Sequence, residues 1–246
     1  MELTIDIGNS YTKFCIFDND AITFNLITKD VTEELLAGIT GRHTISHAII
    51  SSVTDNKKHI GAFLEHRGIP VLTVTHTTAI PIRNCYGTPE TLGMDRLSAA
   101  VGAYRLRPGE ASLIIDIGTC ITYDVIDETG SFLGGNIAPG YKMRLDAMHA
   151  FTDKLPDVPP CDIPDYRIGR STTEAMKAGA YNGIVYEAEG MVAYLRGRYG
   201  RLNVFLTGGG AAYFAQNIGC GKIAEPNLIH IGLNEILRYN LKLTTE

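Results

Sequence analysis

Two segments of this chain repeat one pattern, and the repeat constrains the fold more than any other feature. Residues 4–17 read TIDIGNSYTKFCIF, and residues 114–127 read IIDIGTCITYDVID. Each segment contains an apolar strand, a tight turn that begins Asp-Ile-Gly, and a second strand, with Asp6 and Asp116 110 residues apart. That spacing is a domain length rather than the period of a short structural repeat. The duplication therefore predicts two related domains, each carrying one such hairpin.

The segments around the hairpins predict alternating strands and helices in both halves. Apolar, β-branched runs at 46–53 and 202–207 are typical of buried parallel strands. Helical patterns occupy 30–38, 55–67, 95–105, 141–150, 172–198 and 227–241. Asp30 is predicted to cap the first of these helices, and Ser171 with Glu174 has the spacing of a capping box. The order indicates an α/β protein with mixed sheets.

A helix-breaking Pro108–Gly109 pair marks the predicted domain boundary. It divides the chain into an N-terminal domain, 1–109, and a C-terminal domain, 110–246. The sequence leaves open whether the last helix, 227–241, packs on the second domain or crosses back to the first.

Composition restricts the environment and the partners of the chain. Its 246 residues are 45% hydrophobic and 20% charged, which is typical of a soluble globular protein. The net charge of −5 and the lack of a basic run argue against nucleic acid or an anionic membrane as a partner. We expect no signal peptide, and the sequence contains no apolar stretch of the roughly 20 residues that span a bilayer. Five scattered cysteines without a Cys-x-x-Cys pair predict reduced thiols and a cytoplasmic location.

The residue types in the two repeated turns suit an anionic, metal-bound ligand such as a nucleotide. Asp6 offers a hard oxygen for Mg²⁺, directly or through water, and Gly8 lets the backbone approach a phosphate group. Lys13 adds a compensating positive charge. Asp116 and Thr119 repeat the carboxylate and the hydroxyl in the second turn. Further donors to phosphate are backbone N–H groups and the side chains of Asn9, Ser10 and Thr12.

A glycine-rich loop, Gly208–Gly209–Gly210, follows the buried strand at 202–207. Ligands of open α/β sheets bind at the carboxyl ends of strands, so we expect this loop to contact the adenosine part of a nucleotide. The sequence contains neither the glycine-lysine signature of a P-loop nor the Gly-x-Gly-x-x-Gly of a dinucleotide-binding turn.

The segment Gly93-Met94-Asp95-Arg96 opens a predicted helix. An Asp capping the helix beside a solvated Arg would explain the pair structurally. The same two side chains also suit chemistry, with Asp95 accepting the proton of an alcohol and Arg96 holding an anion. Help of this kind from a general base is worth about 10²–10⁴ in rate.

Taken together, these segments resemble the type III pantothenate kinases, bacterial enzymes of the acetate/sugar kinase, heat-shock chaperone ATPase and actin superfamily. The resemblance runs from Asp6 to Gly210 and rests on five motifs in the family's order: DIGNS (6–10), GMDR (93–96), DIGT (116–119), GGNIAPG (134–140) and TGGGA (207–211). It implies two duplicated ribonuclease H-like (actin-like ATPase) domains with a nucleotide cleft between them. The implied reaction is ATP-dependent phosphorylation of pantothenate to 4'-phosphopantothenate, the first step of coenzyme A biosynthesis.

The resemblance also implies roles for individual residues. Asp95 matches the proton acceptor, Asp116 the ligand of a monovalent cation, K⁺ or NH₄⁺, and Thr119 a nucleotide contact. The segment that handles ATP with Mg²⁺ comprises Asp6, Ile7, Gly8, Asn9, Ser10, Tyr11, Thr12 and Lys13. Substrate contacts beside Asp95 fall on Tyr86, Gly93, Met94, Arg96 and Thr172. Members of the family are homodimers, and the helix at 172–198 is the expected packing element.

Three alternatives remain at this stage. The chain could phosphorylate another small alcohol, hydrolyse a phosphoanhydride, or act as a non-enzymatic regulator on the same fold. The acceptor segment from Tyr86 to Arg96 favours pantothenate. The presence of Asp6, Asp95 and Asp116 together argues against a regulator that has lost its chemistry.

Overall fold

The chain forms two compact units in the computed structural model, which describes residues 1–52, 57–160, 164–219 and 222–244. The first unit comprises Met1–Pro108, Gly130–Phe132 and Asn227–Glu246, and the second comprises Gly109–Thr129 and Leu133–Pro226. The C-terminal helix thus belongs to the first unit, which the sequence had left open. Each compact unit combines separate segments of the sequence. The predicted limits of the two duplicated domains, 1–109 and 110–246, therefore stay a prediction.

The first unit is built on a five-stranded sheet with the order β3-β2-β1-β4-β5. Its strands are β1 (Glu2–Ile7), β2 (Thr12–Asp18), β3 (Ala21–Thr28), β4 (His47–Ser52) and β5 (Val71–Thr73). Its helices are α1 (Glu33–Arg42), α2 (Lys57–His66), α3 (Met94–Leu106) and α7 (Leu228–Leu243). A short strand, β6 (Arg83–Asn84), pairs in parallel with Ser131 and Phe132.

Period-2 alternation divides the two faces of this sheet. On one face Leu3, Ile5 and Phe14 are buried against α1 and α2. On the other face, Thr4 and Asp6 are also buried, and α7 lies over β1, where His230 Nδ1 is 2.7 Å from Thr4 Oγ1. The helix that ends the chain therefore covers the strand that leads into the first Asp-x-Gly turn.

The second unit has its own mixed sheet, followed from one edge in the order β11-β10-β7-β8-β9. Its strands are β7 (Ser112–Ile117), β8 (Cys120–Ile126), β9 (Ser131–Pro139), β10 (Asn203–Thr207) and β11 (Ile223–Ala224). The first two residues of β9 are counted with the first unit. Its helices are α4 (Tyr141–Ala150), α5 (Thr172–Tyr199) and the short α6 (Ala211–Phe214). Helix α5 buries Tyr181, Ile184 and Val185 against this sheet. No helix in the described part of the chain is long and apolar enough to cross a membrane.

The two sheets share one connectivity. The order β3-β2-β1-β4-β5 in the first corresponds, strand for strand, to β9-β8-β7-β10-β11 in the second. In both, the hairpin is antiparallel and the first strand pairs in parallel with a later one, so that Asp6 lies beside Ser51 and Asp116 beside Thr207. The predicted duplication and the α/β class with mixed sheets are confirmed.

Most predicted helices are found close to their expected positions, and the helix at 141–150 is confirmed residue for residue. The prediction that Asp30 caps α1 is wrong, because the Thr32 side chain accepts the Leu35 N–H at 3.2 Å. Asp30 instead lies in a turn closed by Thr28, two residues before the helix cap. Residues 55 and 56 of the predicted helix 55–67 lie outside the described residues.

The capping box at α5 is present in a modified form. Ser171 Oγ accepts the Glu174 N–H at 3.2 Å, as predicted. The Glu174 carboxylate accepts the N–H of Arg170 at 2.6 Å, one residue before the cap. The first contact satisfies an N–H group that a helix start leaves without an intrahelical partner, and the second ties the residue before the cap to the first turn.

Candidate active site

The first Asp-x-Gly turn lies at the end of β1 and is closed by its own backbone. Gly8 N–H donates to the Tyr11 carbonyl at 3.0 Å. A Cβ at Gly8 would lie 3.3 Å from the same oxygen, so a larger residue would crowd the turn. Asn9 and Ser10 are exposed at its tip, while Asp6 is only 7% exposed. The turn thus presents polar groups to solvent above a nearly buried carboxylate.

Lys13 lies on β2 directly opposite Asp6. Opposed residues of an antiparallel pair point to the same face, so Lys13 and the Asp6 carboxylate lie on the same side of the sheet. Under this pair, burial lowers the pKa of His230 to about 3, and the positive charge of Lys13 acts in the same direction. His230 is therefore neutral near pH 7 and adds no charge beneath the turn.

The second Asp-x-Gly turn packs against the glycine loop that follows β10. Gly210 N–H donates to the Ile117 carbonyl at 2.8 Å. Gly208 has φ +87°, and a Cβ there would overlap Asp116 Oδ1 and lie 2.6 Å from Ile117 O. Only glycine meets both conditions without strain. The predicted cation ligand and the predicted nucleotide loop are thus in direct contact, and Gly209 beside them has open space around it.

Gly140 contacts the second Asp-x-Gly turn at Thr119. Its N–H donates to the Thr119 carbonyl at 3.0 Å, and a Cβ at Gly140 would lie 2.6 Å from that oxygen. The sequence contains this glycine within GGNIAPG, but a motif does not reveal which backbone it touches. The Thr119 side chain is left exposed, where a ligand can reach it.

The acceptor segment forms a compact group in the first unit. The guanidinium carbon of Arg96 lies 5.4 Å from the Tyr86 ring centroid, in cation–π contact, and Phe132 packs on the same ring at 6.2 Å. Asp95 Oδ1 accepts the Arg96 N–H at 2.9 Å. A Cβ at Gly93 would overlap that oxygen, so this glycine allows the Asp95 carboxylate to fold back over the helix start.

Two details of this segment differ from the structural explanation of a capping Asp95 beside a solvated Arg96. The helix begins at Met94 with Gly93 as its cap, so Asp95 is in the first turn rather than at the cap. Arg96 is only 7% exposed and is not a solvated side chain. A buried guanidinium stacked on an aromatic ring is oriented in advance, which suits recognition of a carboxylate.

Thr172 and the acceptor segment belong to different units. It is the first residue of α5, is exposed, and belongs to the second unit. Tyr86, Asp95 and Arg96 belong to the first. The contact of Thr172 with the same substrate therefore stays a prediction.

The described residues contain no group of three or more His, Cys, Asp or Glu side chains placed to hold a metal ion. Each turn instead offers a single carboxylate, Asp6 or Asp116, close to backbone groups. Such a donor set fits an ion that takes most of its ligands from phosphate oxygens and water, as Mg²⁺ usually does.

Comparison with solved structures identifies the fold. A putative Baf family transcriptional activator from Campylobacter jejuni superposes with a TM-score of 0.59, at 22% identity, over 98% of this chain and 99% of that one. MreB5 of Spiroplasma citri, solved bound to ADP, superposes with a TM-score of 0.53, at 11% identity, over 99% and 98%. At these identities the likeness concerns the fold alone, which is that of the actin-like ATPases.

The family follows from sequence. The family model for type III pantothenate kinase matches residues 2–194. A type III pantothenate kinase from Phocaeicola vulgatus is 41% identical over 244 residues, which cover 99% of this chain and all of the relative. The chain belongs to the type III pantothenate kinase family and is a phosphotransferase, as the resemblance implied.

Proposed function

We propose that this protein transfers the γ-phosphoryl group of ATP to the primary hydroxyl of pantothenate, giving 4'-phosphopantothenate for coenzyme A biosynthesis. The observation that carries the proposal is the acceptor segment, in which a carboxylate, Asp95, is held at a helix start beside a buried guanidinium, Arg96. Family membership over nearly the full chain supports the same reaction.

Each turn has a distinct task in this proposal. The first turn, from Asp6 to Lys13, holds the phosphates through backbone N–H groups, hydroxyls and the Lys13 charge. In the second unit, Thr119 and the loop at Gly208–Gly209 contact the nucleotide. Phosphoryl transfer needs little covalent help from a protein, so positioning and charge stabilisation account for most of the rate.

Asp95 is the proposed general base. Its carboxylate accepts the proton of the pantothenate hydroxyl as that oxygen attacks phosphorus. Tyr86, Gly93, Met94 and Arg96 contact the acceptor, with Arg96 pairing the pantothenate carboxylate, and Thr172 is a further proposed contact.

Two ions complete the proposed site. Asp6 would hold Mg²⁺, directly or through water, and Asp116 would hold K⁺ or NH₄⁺. When bound, these ions offset the negative charge of the phosphates. The Gly208 backbone approaches Asp116 Oδ1 closely, so the proposed cation ligand lies beside the glycine loop that is proposed to contact the nucleotide.

The test is ADP release from Mg-ATP with and without pantothenate, in K⁺ and then in Na⁺ buffer. We expect release that requires pantothenate and is substantially faster in K⁺. Equal release with and without pantothenate would replace the proposal with a hydrolase or a kinase for another acceptor. Equal rates in both salts would refute the proposal that Asp116 holds a monovalent cation. Protein that binds ATP but releases no ADP would favour a regulatory role.

We further propose that the chain forms a homodimer through the surface of the second unit where α5 borders β9. Ile137, Tyr186 and Tyr194 are more than half exposed there and border two adjoining grooves of about 680 and 650 Å³. Among the described residues, β9 beyond Phe132 has no strand on its outer edge. Exposed apolar side chains beside an open strand edge are characteristic of a protein interface.

Sedimentation tests this surface. We expect wild-type protein at about twice the 26.8 kDa mass of one chain, and Tyr194→Glu at the mass of one chain. Ile27→Glu, at a residue 57% exposed in the first unit, is the matched control and should stay dimeric. A wild-type monomer, or a Tyr194→Glu dimer as stable as wild type, would refute the proposed interface.

A cytoplasmic location is the remaining proposal, supported by the exposed free thiols of Cys85 and Cys120, which suit a reducing compartment. Cell fractionation would contradict it by placing the protein with secreted or membrane material.

A further inference from the structure

A chain of polar contacts inside the second unit leads from α5 to the turn that contains Thr119. The middle of this chain is Arg144 on α4, whose Nε donates to the Pro139 carbonyl at 2.8 Å. Pro139 precedes Gly140, and the Gly140 N–H donates to the Thr119 carbonyl at 3.0 Å. Arg144 therefore binds the carbonyl group of the same Pro139–Gly140 peptide whose N–H group binds Thr119.

Glu187 on α5 fixes Arg144 in turn. Arg144 Nη1 donates to Glu187 Oε1 at 2.9 Å, and Nη2 donates to Oε2 at 2.6 Å. This bidentate geometry defines the orientation of the guanidinium, and the Arg144 side chain is only 15% exposed. A Cβ at Gly183 would lie 3.2 Å from Nη1, so α5 has a glycine where the guanidinium approaches.

A third element reaches the same carboxylate. The Tyr123 hydroxyl on β8 points to Glu187 Oε2 at 3.5 Å. Burial, and then the negative charge of Glu187, raise the pKa of the Tyr123 phenol, so it keeps its proton. Strand β8 begins immediately after Thr119. The contacts thus reach the turn by two routes, through the Thr119 carbonyl and along β8.

The packing leaves little freedom for this arrangement to shift. A Cβ at Gly140 would overlap the Gly118 carbonyl and lie 2.6 Å from that of Thr119, so the start of α4 touches the turn backbone to backbone. Because there is no flexible side chain between them, a displacement of Pro139 and Gly140 must displace the turn as well.

We propose that Arg144 and Glu187 are positioning residues for the nucleotide: they hold the Pro139–Gly140 peptide, and through it the Thr119 turn, in the conformation that binds ATP. Neither side chain touches the ligand in this account. The inference rests on the proposed function, in which Thr119 contacts the nucleotide.

The test uses Arg144→Met and Glu187→Gln in the full-length protein. Because the preorganised turn serves the ground state and the transition state alike, its loss should weaken binding without slowing the chemical step. We expect the Kd and the KM for Mg-ATP to rise about tenfold, a typical effect of disturbing such a network, with kcat changed by less than about twofold. The Kd is measured by calorimetry without pantothenate.

Lys142→Met is the matched control. It removes one positive charge from the same helix, where Lys142 pairs with Asp146 at 2.5 Å on an exposed surface. We expect its Kd for Mg-ATP to equal that of wild type. The double variant Arg144→Met/Glu187→Gln should bind no more weakly than the weaker single variant, because the two residues act as one unit.

An unchanged Kd in Glu187→Gln and Arg144→Met would overturn the proposal, and a lowered melting temperature with unchanged Kd would show a purely structural role. If Arg144→Met fails to fold, Glu187→Gln decides by the same criterion. Failure of the proposed function would look different. Wild-type protein would then bind Mg-ATP, and the variants would bind it about tenfold more weakly. Adding pantothenate would, however, cause no release of ADP by the wild-type protein.

Discussion

Replacing Asp95 with asparagine should lower kcat about 10²–10⁴-fold while leaving the fold and the affinity for ATP intact. Asparagine keeps the shape of the side chain and an oxygen that can accept the Arg96 N–H, the bond that holds Asp95 at 2.9 Å. What it lacks is the basicity to accept the proton of the pantothenate hydroxyl. The measurement is the steady-state rate of ADP release at saturating ATP and pantothenate in K⁺ buffer.

Glu65→Gln is the appropriate control for this variant. Glu65 is an exposed carboxylate on α2, outside the acceptor segment and both turns, and its replacement should leave kcat unchanged. Thermal unfolding and ATP titration of Asp95→Asn establish that fold and nucleotide site are retained. Turnover near that of wild type would exclude Asp95 as the base, and a loss of ATP binding would assign it to the nucleotide instead.

Replacing Gly232 with alanine should destabilise the first unit by about 2 kcal/mol or more. The α3 and α7 helices cross with their backbones in contact. A Cβ at Gly232 would overlap the Ser98 carbonyl oxygen and lie 2.9 Å from Gly102 N, and a Cβ at Gly102 would overlap Leu228 O. Alanine gains about 1 kcal/mol in helix propensity, but the overlap is with backbone, so the helices must separate and the loss of packing exceeds that gain.

Gly38→Ala provides a control of opposite sign. Gly38 lies inside α1, and a Cβ there meets no atom within 4 Å. We expect this variant to gain about 0.5–1 kcal/mol from propensity alone. Urea denaturation followed by circular dichroism compares the two midpoints with that of wild type. A Gly232→Ala protein as stable as wild type would show that the helix crossing can relax, contrary to our expectation.

The local elements were predictable because their signals lie within a few residues of each other. The hairpins at Asp6 and Asp116 combine alternating apolar residues with a Gly-containing turn, and the helix at 141–150 follows a glycine directly. The cap of α1 was wrongly assigned to Asp30 because both Asp30 and Thr32 are good caps. Only the bond to Leu35 distinguishes them, and it depends on where the helix actually begins.

The contacts that sequence reasoning missed are long-range contacts. Arg144 and Glu187 are 43 residues apart in the chain, and neither belongs to a recognised motif. The glycines at 102 and 232 stand in helical patterns where a glycine is ordinarily a weakness. Their purpose, close approach of α3 and α7, exists only once those helices are adjacent.

By itself, the sequence determined the duplicated α/β architecture, the two Asp-x-Gly turns and the family, because all of these are written in short patterns of residue type. The tertiary structure alone decided that the C-terminal helix returns to the first unit, that Gly208 touches Asp116, and that Gly140 closes the Thr119 turn. The physical reason is that these contacts join backbones far apart in the chain, and their energy depends on distances of a few ångströms that no local pattern encodes.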